Sequence, residues 1–342
     1  MSTQIHNGLT GSRFINMCVA NWFLHIYVYA IIPLLTCQVM RMGQSEMWVG
    51  FGVLAFAVGM VLLGPFGAHL MERRSRKAIY LKALIVLGPL ATVGYIYAAD
   101  VRLLLGMQLL QGIAYGVSQT ALGTTLVNDI LLSRHRNKGD IIYGWAGRIG
   151  IPLGLFFGYG LSLALPMQQA YFWTLVPCAL SFVLVAQTVV PIKAPVKVPI
   201  LTFDRFFLPC SLPLALSMFA APWVMGRLAG AFPQSVSWLL GSAYMCLSLG
   251  VLMAFLAQLF IRRRVGQRTL VAIGYTFVVL GLLLVSLPNL AIGNIGDLLL
   301  GCGIGAVSSR HLMDWVTNSA HCQRGTAQFP DTVWNQLQSG IC

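Results

Sequence analysis

Between Arg13 and Arg41 the chain carries no Lys, Arg, Asp or Glu, and residues 14–40 consist mostly of aliphatic and aromatic side chains. About 20 apolar residues are enough for a helix to cross the hydrocarbon core of a bilayer. Such a run constrains the fold strongly, because lipid offers no partner to backbone N–H and C=O groups and each must be satisfied within its own segment. Similar runs recur at 46–71, 78–99, 101–132, 141–165, 168–192, 206–231, 234–261, 269–289 and 291–316. The fold class that follows is an all-α polytopic membrane protein with about ten spanning helices. With 57% hydrophobic residues and a mean hydropathy of +0.77, the composition overrides the two or three soluble domains that the length alone would imply.

The net charge of +13 invites a nucleic-acid reading, but the placement of the charges argues against one. Seventeen of the 22 cationic residues cluster in alternate loops, among them Arg13, the Arg73–Lys77 group, Arg134, Arg136, Lys138 and Arg262–Arg264. The opposite side holds Arg41 and Arg102, so the positive-inside rule puts the basic side and the amino terminus in the cytoplasm. The first thirteen residues lack a cleavable signal pattern, and the first span is expected to direct insertion itself. A bacterial plasma (inner) membrane is the expected location, with the lipid bilayer as the obligate partner. Eight scattered cysteines without a CxxC pair read as small buried hydrophobes.

Loops are short, so sequential spans pack antiparallel. The longest internal break, residues 193–205 (KAPVKVPILTFDR), contains Pro195, Pro199 and three cationic residues. It divides the chain into a six-helix bundle (1–192), a cytoplasmic linker (193–205) and a second group with four spans and a polar tail (206–342). The basic loop ERRSRK after the second span is echoed by RRRVGQR after the eighth. Two parallel halves related in this way are a construction found in secondary transporters, where one bundle rocks against the other.

The loop between the second and third spans resembles the signature loop of the major facilitator superfamily, roughly G-x-L-x-D-R-x-G-R-K. The matching residues are Ala68, Leu70, Glu72, Arg73, Ser75, Arg76 and Lys77, with both glycines replaced and Glu in place of Asp. In the second copy Arg264, Val265 and Gly266 match, while Arg263 stands where the acid belongs. Gln108, Gln111 and Gly112 occupy the frame of the family's R-x-x-Q-G in the fourth span. The fifth span, GWAGRIGIPLGLFFGYG, is similar to the glycine–proline motif of export members. The resemblance covers nearly the whole chain and implies a two-bundle helical transporter. It also implies that Glu72, Arg73, Arg76 and Lys77 bracket the bundles in one conformational state, with Arg76 reaching Asp129 at the cytoplasmic end of the fourth span. Anchoring of the loop to lipid headgroups is the alternative, and Arg73 and Arg74 fit it best. Members usually have twelve spans. Here RGTAQ at 324–328 looks like the start of an eleventh, and the residues after it are too short and polar to cross. A chain truncated before its last two helices is the expectation, with a native ten-span protein as the alternative.

Polar residues within spans face a cavity or a partner helix. Asn21, His25 and Tyr29 recur every four residues in the first span, and Gln108, Gln111, Tyr115 and Gln119 form a stripe in the fourth. Both stripes are candidate cavity linings, with interhelical hydrogen bonding as the competing role. His25 could take a coupling proton or serve as a structural hydrogen-bonder. Arg148 in the fifth span and Arg227 near the outer end of the seventh are candidate cavity cations, both near enough to a span end to snorkel. Asp297 is the one other candidate acid. Gly147, Gly150, Gly154 and Gly158 share a helical face beside Pro152, a spacing that lets two backbones approach closely. Packing and gating are both open roles for this stripe.

The sequence has no GxxxxGKS/T loop, HExxH or GxSxG motif. Histidines and acids never fall at metal-ligand spacing, so no metal or other cofactor and no catalytic residue is assigned. The chain reads as a non-enzymatic secondary active transporter. It would move a small solute by alternating access, as a monomer, with a proton or another ion as candidate coupling partner and no nucleic-acid partner. The alternative is a non-transporting relative that serves as a membrane sensor or interaction protein.

Overall fold

The computed structural model describes residues 8–45, 47–73, 75–126, 130–132, 135–190, 237–261, 265–287 and 289–318. These residues form nine long helical segments. In chain order they are α1 (Ser12–Arg41), α2 (Met47–Arg73), α3 (Arg76–Ile96), α4 (Val101–Gln119), α5 (Arg136–Ala164), α6 (Met167–Gln187), α7 (Ser237–Ile261), α8 (Gln267–Val285) and α9 (Leu290–Asn318). The linker 193–205, the expected seventh span at 206–231 with Arg227, Asp129, Arg74, Arg262–Arg264 and the tail from residue 319 lie outside the described residues.

Helices α1, α3, α6 and residues 138–164 of α5 are long and apolar enough to cross a membrane, and residues 47–60, 245–258, 269–285 and 291–307 form shorter apolar stretches. At 1.5 Å per residue the 30-residue α1 is about 45 Å long. That exceeds the ~30 Å hydrocarbon core, so the helix either tilts or extends past it. On α6 the outward residues Phe172, Trp173, Val176, Leu180 and Val183 follow helical spacing. A stripe of large exposed apolar side chains is what a lipid-facing surface requires.

Local chemistry shapes the segments. Gly43, at φ 68°, closes α1 with a left-handed residue, and its N–H donates to the Met40 carbonyl at 3.0 Å. The third span is not a continuous α-helix. Residues Val86–Leu90 form a π-helical turn around Pro89, which lacks an N–H and crowds the preceding turn. The fourth likewise passes into a π-helical stretch, Thr120–Leu126, after α4.

Helix α1 packs on α5 and α6, α2 on α4, and α3 on α4 and α6. In the second group α9 packs on both α7 and α8. Helix α5 reaches across to α7 and α9, and the Trp145 ring meets Phe255 edge-on at 5.1 Å between centroids. Several of these seams depend on glycine. A Cβ on Gly112 would fall on the Phe56 carbonyl, one on Gly59 on the Leu109 carbonyl, and one on Gly301 on the Leu247 carbonyl. Close approach of this kind replaces the hydrophobic driving force that lipid does not supply.

Candidate functional site

Two buried polar networks cross the first helix group. The first joins α1, α4 and α5. His25 Nδ1 lies 2.8 Å from the Asn21 carbonyl, so that nitrogen carries the donated proton. In the neutral ring Nε2 then accepts from the Tyr115 hydroxyl at 3.1 Å. The Asn21 amide donates to the Tyr143 carbonyl at 3.1 Å, and its oxygen accepts from Gln119 at 3.0 Å. The Tyr143 hydroxyl closes the loop on Gln119 at 3.3 Å. Tyr29 stacks on the His25 ring, nearly parallel at 6.1 Å. Gly147 makes room for this cluster, since a Cβ there would lie 2.6 Å from His25 Cε1 and 2.7 Å from Asn21 Nδ2.

The second network joins α1, α3, α4 and α6. The Tyr27 hydroxyl donates to the Leu87 carbonyl at 2.5 Å and accepts from Gln111 at 3.3 Å. The Tyr95 hydroxyl donates to Gln111 Oε1 at 2.5 Å. Gln38 donates to the Tyr95 carbonyl at 2.9 Å and accepts from the Tyr171 hydroxyl at 2.6 Å. Leu87 and its π-helical turn thus present a carbonyl that an ordinary helical turn would hold internally.

The structure brings Asn21, His25, Tyr29, Tyr115 and Gln119 into one cluster and sends Gln111 to the other network. Gln108 packs beside Gly52 of α2. All but Gln119 are buried between helices. Gly150, Gly154 and Gly158 lie against the backbone carbonyls of Trp22, Ile26 and Ala30, and Pro152 is buried beside them. Arg148 is enclosed at 2% exposure rather than snorkelling to an interface.

Of the signature loop, Lys77 is placed within the first helix group. Its ammonium donates to the carbonyls of Ala186 and Thr188, at 2.5 and 2.9 Å, and so caps the carboxyl end of α6. Arg76 is half-buried. Glu72 and Arg73 form the last turn of α2, and their side chains lie outside the described residues, as do Asp129 and Arg227.

The sequence reading missed Tyr27, Gln38, Tyr95, Tyr143, Tyr171 and Asp140. Tyr27 and Gln38 are eleven residues apart, about three turns, a repeat longer than the four-residue spacing that flagged His25. Asp140, fully buried, sits among basic residues and reads as part of a solvated loop. Its seven-residue spacing to Gly147 is the signal that places it on the α1-facing side of α5.

The family model of the Major Facilitator Superfamily matches residues 17–328. No curated protein matches the chain in sequence. Among solved structures, the chain is similar to the human organic anion transporter MFSD10 (TETRAN), with a TM-score of 0.69 at 17% identity, covering 96% of this chain and 91% of that one. It is also similar to a mutant of the nucleoside transporter NupG (0.66, 12%, 96% and 89%). A third likeness is to a bacterial homolog of the human lysosomal transporter Spinster in an inward-facing, unoccupied conformation (0.60, 15%, 98% and 81%). At these identities the likeness speaks for the fold.

Proposed function

The chain belongs to the Major Facilitator Superfamily, a family of non-enzymatic membrane transporters for small solutes, and we propose that it moves its solute by alternating access. The observation that carries this reading is the buried cluster of Asn21, His25, Tyr115, Gln119 and Tyr143 where α1, α4 and α5 meet. Neutral donors and acceptors enclosed in a membrane-spanning bundle are costly unless they serve packing or a solute, and this cluster lies next to the helix that touches the second group. Rocking of α5 on α7 and α9 would open the cluster to one face at a time.

In this proposal the basic loops lie in the cytoplasm and an ion or solute gradient supplies the energy. The test is uptake into proteoliposomes under an imposed proton gradient, read against protein-free liposomes. Flux of at least one solute from a broad panel is expected. Absence of flux for every solute would overturn the proposal.

A further inference from the structure

Two lysines lie in the first half of α3, and the fold uses them differently. Lys77 is turned inward, with its ammonium on the Ala186 and Thr188 carbonyls of α6. Lys82 is exposed, and among the described residues nothing hydrogen-bonds or ion-pairs with it. At 3.6 residues per turn it lies about 140° around the helix from Lys77 and about 160° from Tyr80, whose hydroxyl meets Ser181 of α6. Ala78 and Ile85, one turn to either side on the same face, are exposed as well. The stripe continues beyond the π-helical turn with exposed Leu90 and Val93. On the remaining circumference Ile79, Tyr80, Ala83 and Leu84 are buried. Because this helix is long and apolar enough to cross a membrane, Lys82 is a cation on a lipid-facing surface.

Lys82 stands six residues past Arg76, about 9 Å along the helix. An ammonium left at that depth in hydrocarbon is expensive. Its flexible four-carbon stem returns the charge most of the way to the basic-loop interface while the methylenes stay in lipid. There it meets the phosphate level of the leaflet. Charge then decides the class of lipid. Residues 76–99, 101–126 and 167–187 contain no Asp or Glu, so α3 itself and the spans of α4 and α6 against it offer this ammonium no carboxylate. Glu72, ten residues earlier in α2, is the nearest acid in sequence. Arg73, Arg74, Arg76 and Lys77 raise the positive potential at this end of the helix, which favours a net negative headgroup over a zwitterionic one.

We propose that Lys82 and the apolar stripe beside it form a binding site for an anionic phospholipid in the leaflet on the basic side. The ammonium meets the headgroup phosphate, and an acyl chain lies along Ile85, Leu90 and Val93. The site is separate from the polar clusters and independent of the solute.

For the test, the full chain in mild detergent is mixed with equimolar phosphatidylglycerol and phosphatidylcholine of matched acyl chains, and retained lipid is counted by native mass spectrometry. Wild type is compared with Lys82→Gln, Lys82→Arg, Glu72→Gln and Lys138→Gln, the last removing another exposed cation, at the start of α5. Wild type is expected to retain phosphatidylglycerol about fivefold over phosphatidylcholine at one site, the preference that a single interfacial cation supplies. Lys82→Gln should lose that preference and Lys82→Arg should keep it. Glu72→Gln and Lys138→Gln should leave it in place.

Equal retention of the two lipids by wild type would overturn the proposal, as would an unchanged preference in Lys82→Gln. An equal loss in Lys138→Gln would also overturn it, since that marks a diffuse positive surface and not a site. Lower unfolding temperatures of both Glu72→Gln and Lys82→Gln in phosphatidylcholine alone would assign the ammonium to Glu72 instead. Release of the retained lipid by excess inorganic phosphate would mark a soluble-anion site, against the proposal. If Lys82→Gln does not fold, Lys82→Met takes its place. Failure of both to fold in phosphatidylcholine would make the lysine an internal partner of the protein and overturn the lipid site.

Discussion

The two tyrosines Tyr27 and Tyr115 separate the two networks by chemistry. Tyr27 bonds a backbone carbonyl in the π-helical turn and a glutamine that has a second partner in Tyr95. Replacing it with Phe leaves buried groups unsatisfied, at a cost of about 1–3 kcal/mol. Thermal unfolding of Tyr27→Phe in detergent should show that loss, with transport per folded molecule unchanged. Tyr115→Phe removes one bond to His25 from the cluster proposed to meet solute. Its kcat/KM for uptake should fall about tenfold, equivalent to about 1.4 kcal/mol. Equal effects of the two substitutions on transport would deny the clusters their separate roles. Sequence spacing found His25 and Tyr115 because both lie on polar stripes at helical spacing. It could not find Tyr27 or Tyr171, whose partners Gln111 and Gln38 lie 84 and 133 positions away and are brought close only by helix pairing.

At the scale of helices, the glycine positions make a sharp contrast. A side chain on Gly158 would run into the Ala30 backbone, whereas Gly160 two residues on has nothing within 4 Å. Gly158→Leu should force α1 and α5 apart and abolish monodisperse protein in size-exclusion chromatography. Gly160→Ala should raise stability by about 0.5–1 kcal/mol, the ordinary gain from replacing glycine within a helix. Similar behaviour of the two variants would contradict the packed seam. The stripe on α5 was readable in the sequence as small residues on one face, but its partner helix was not, because spacing identifies a face and not what it meets. Apolar runs likewise located most of the described helices to within a few residues. The π-helical turn at Val86–Leu90 was not legible, since Pro89 permits a kink or a bulge and packing decides between them.

At the scale of the molecule, the fold class was legible because bilayer physics leaves helices few alternatives. The state-dependent contacts were not, since they depend on how two groups of helices move. If Arg76 and Asp129 form a pair in one state, reversing either charge alone should impair uptake, and reversing both together should restore part of it. No rescue in the double variant would count against a direct pair. Lys77, in the same loop, donates to the carbonyls at the end of α6 and so ties α3 to α6 in the conformation described.

The contact between Trp145 and Phe255 gives the most direct test of alternating access, because it joins the two helix groups at 5.1 Å. Cysteines at these two positions, in a chain with its eight native cysteines replaced, should be linked by a short reducible thiol reagent in proteoliposomes. Solute uptake should stop in the linked protein and return on reduction. Uptake that continues undiminished with the two groups linked would contradict transport by rocking one group against the other.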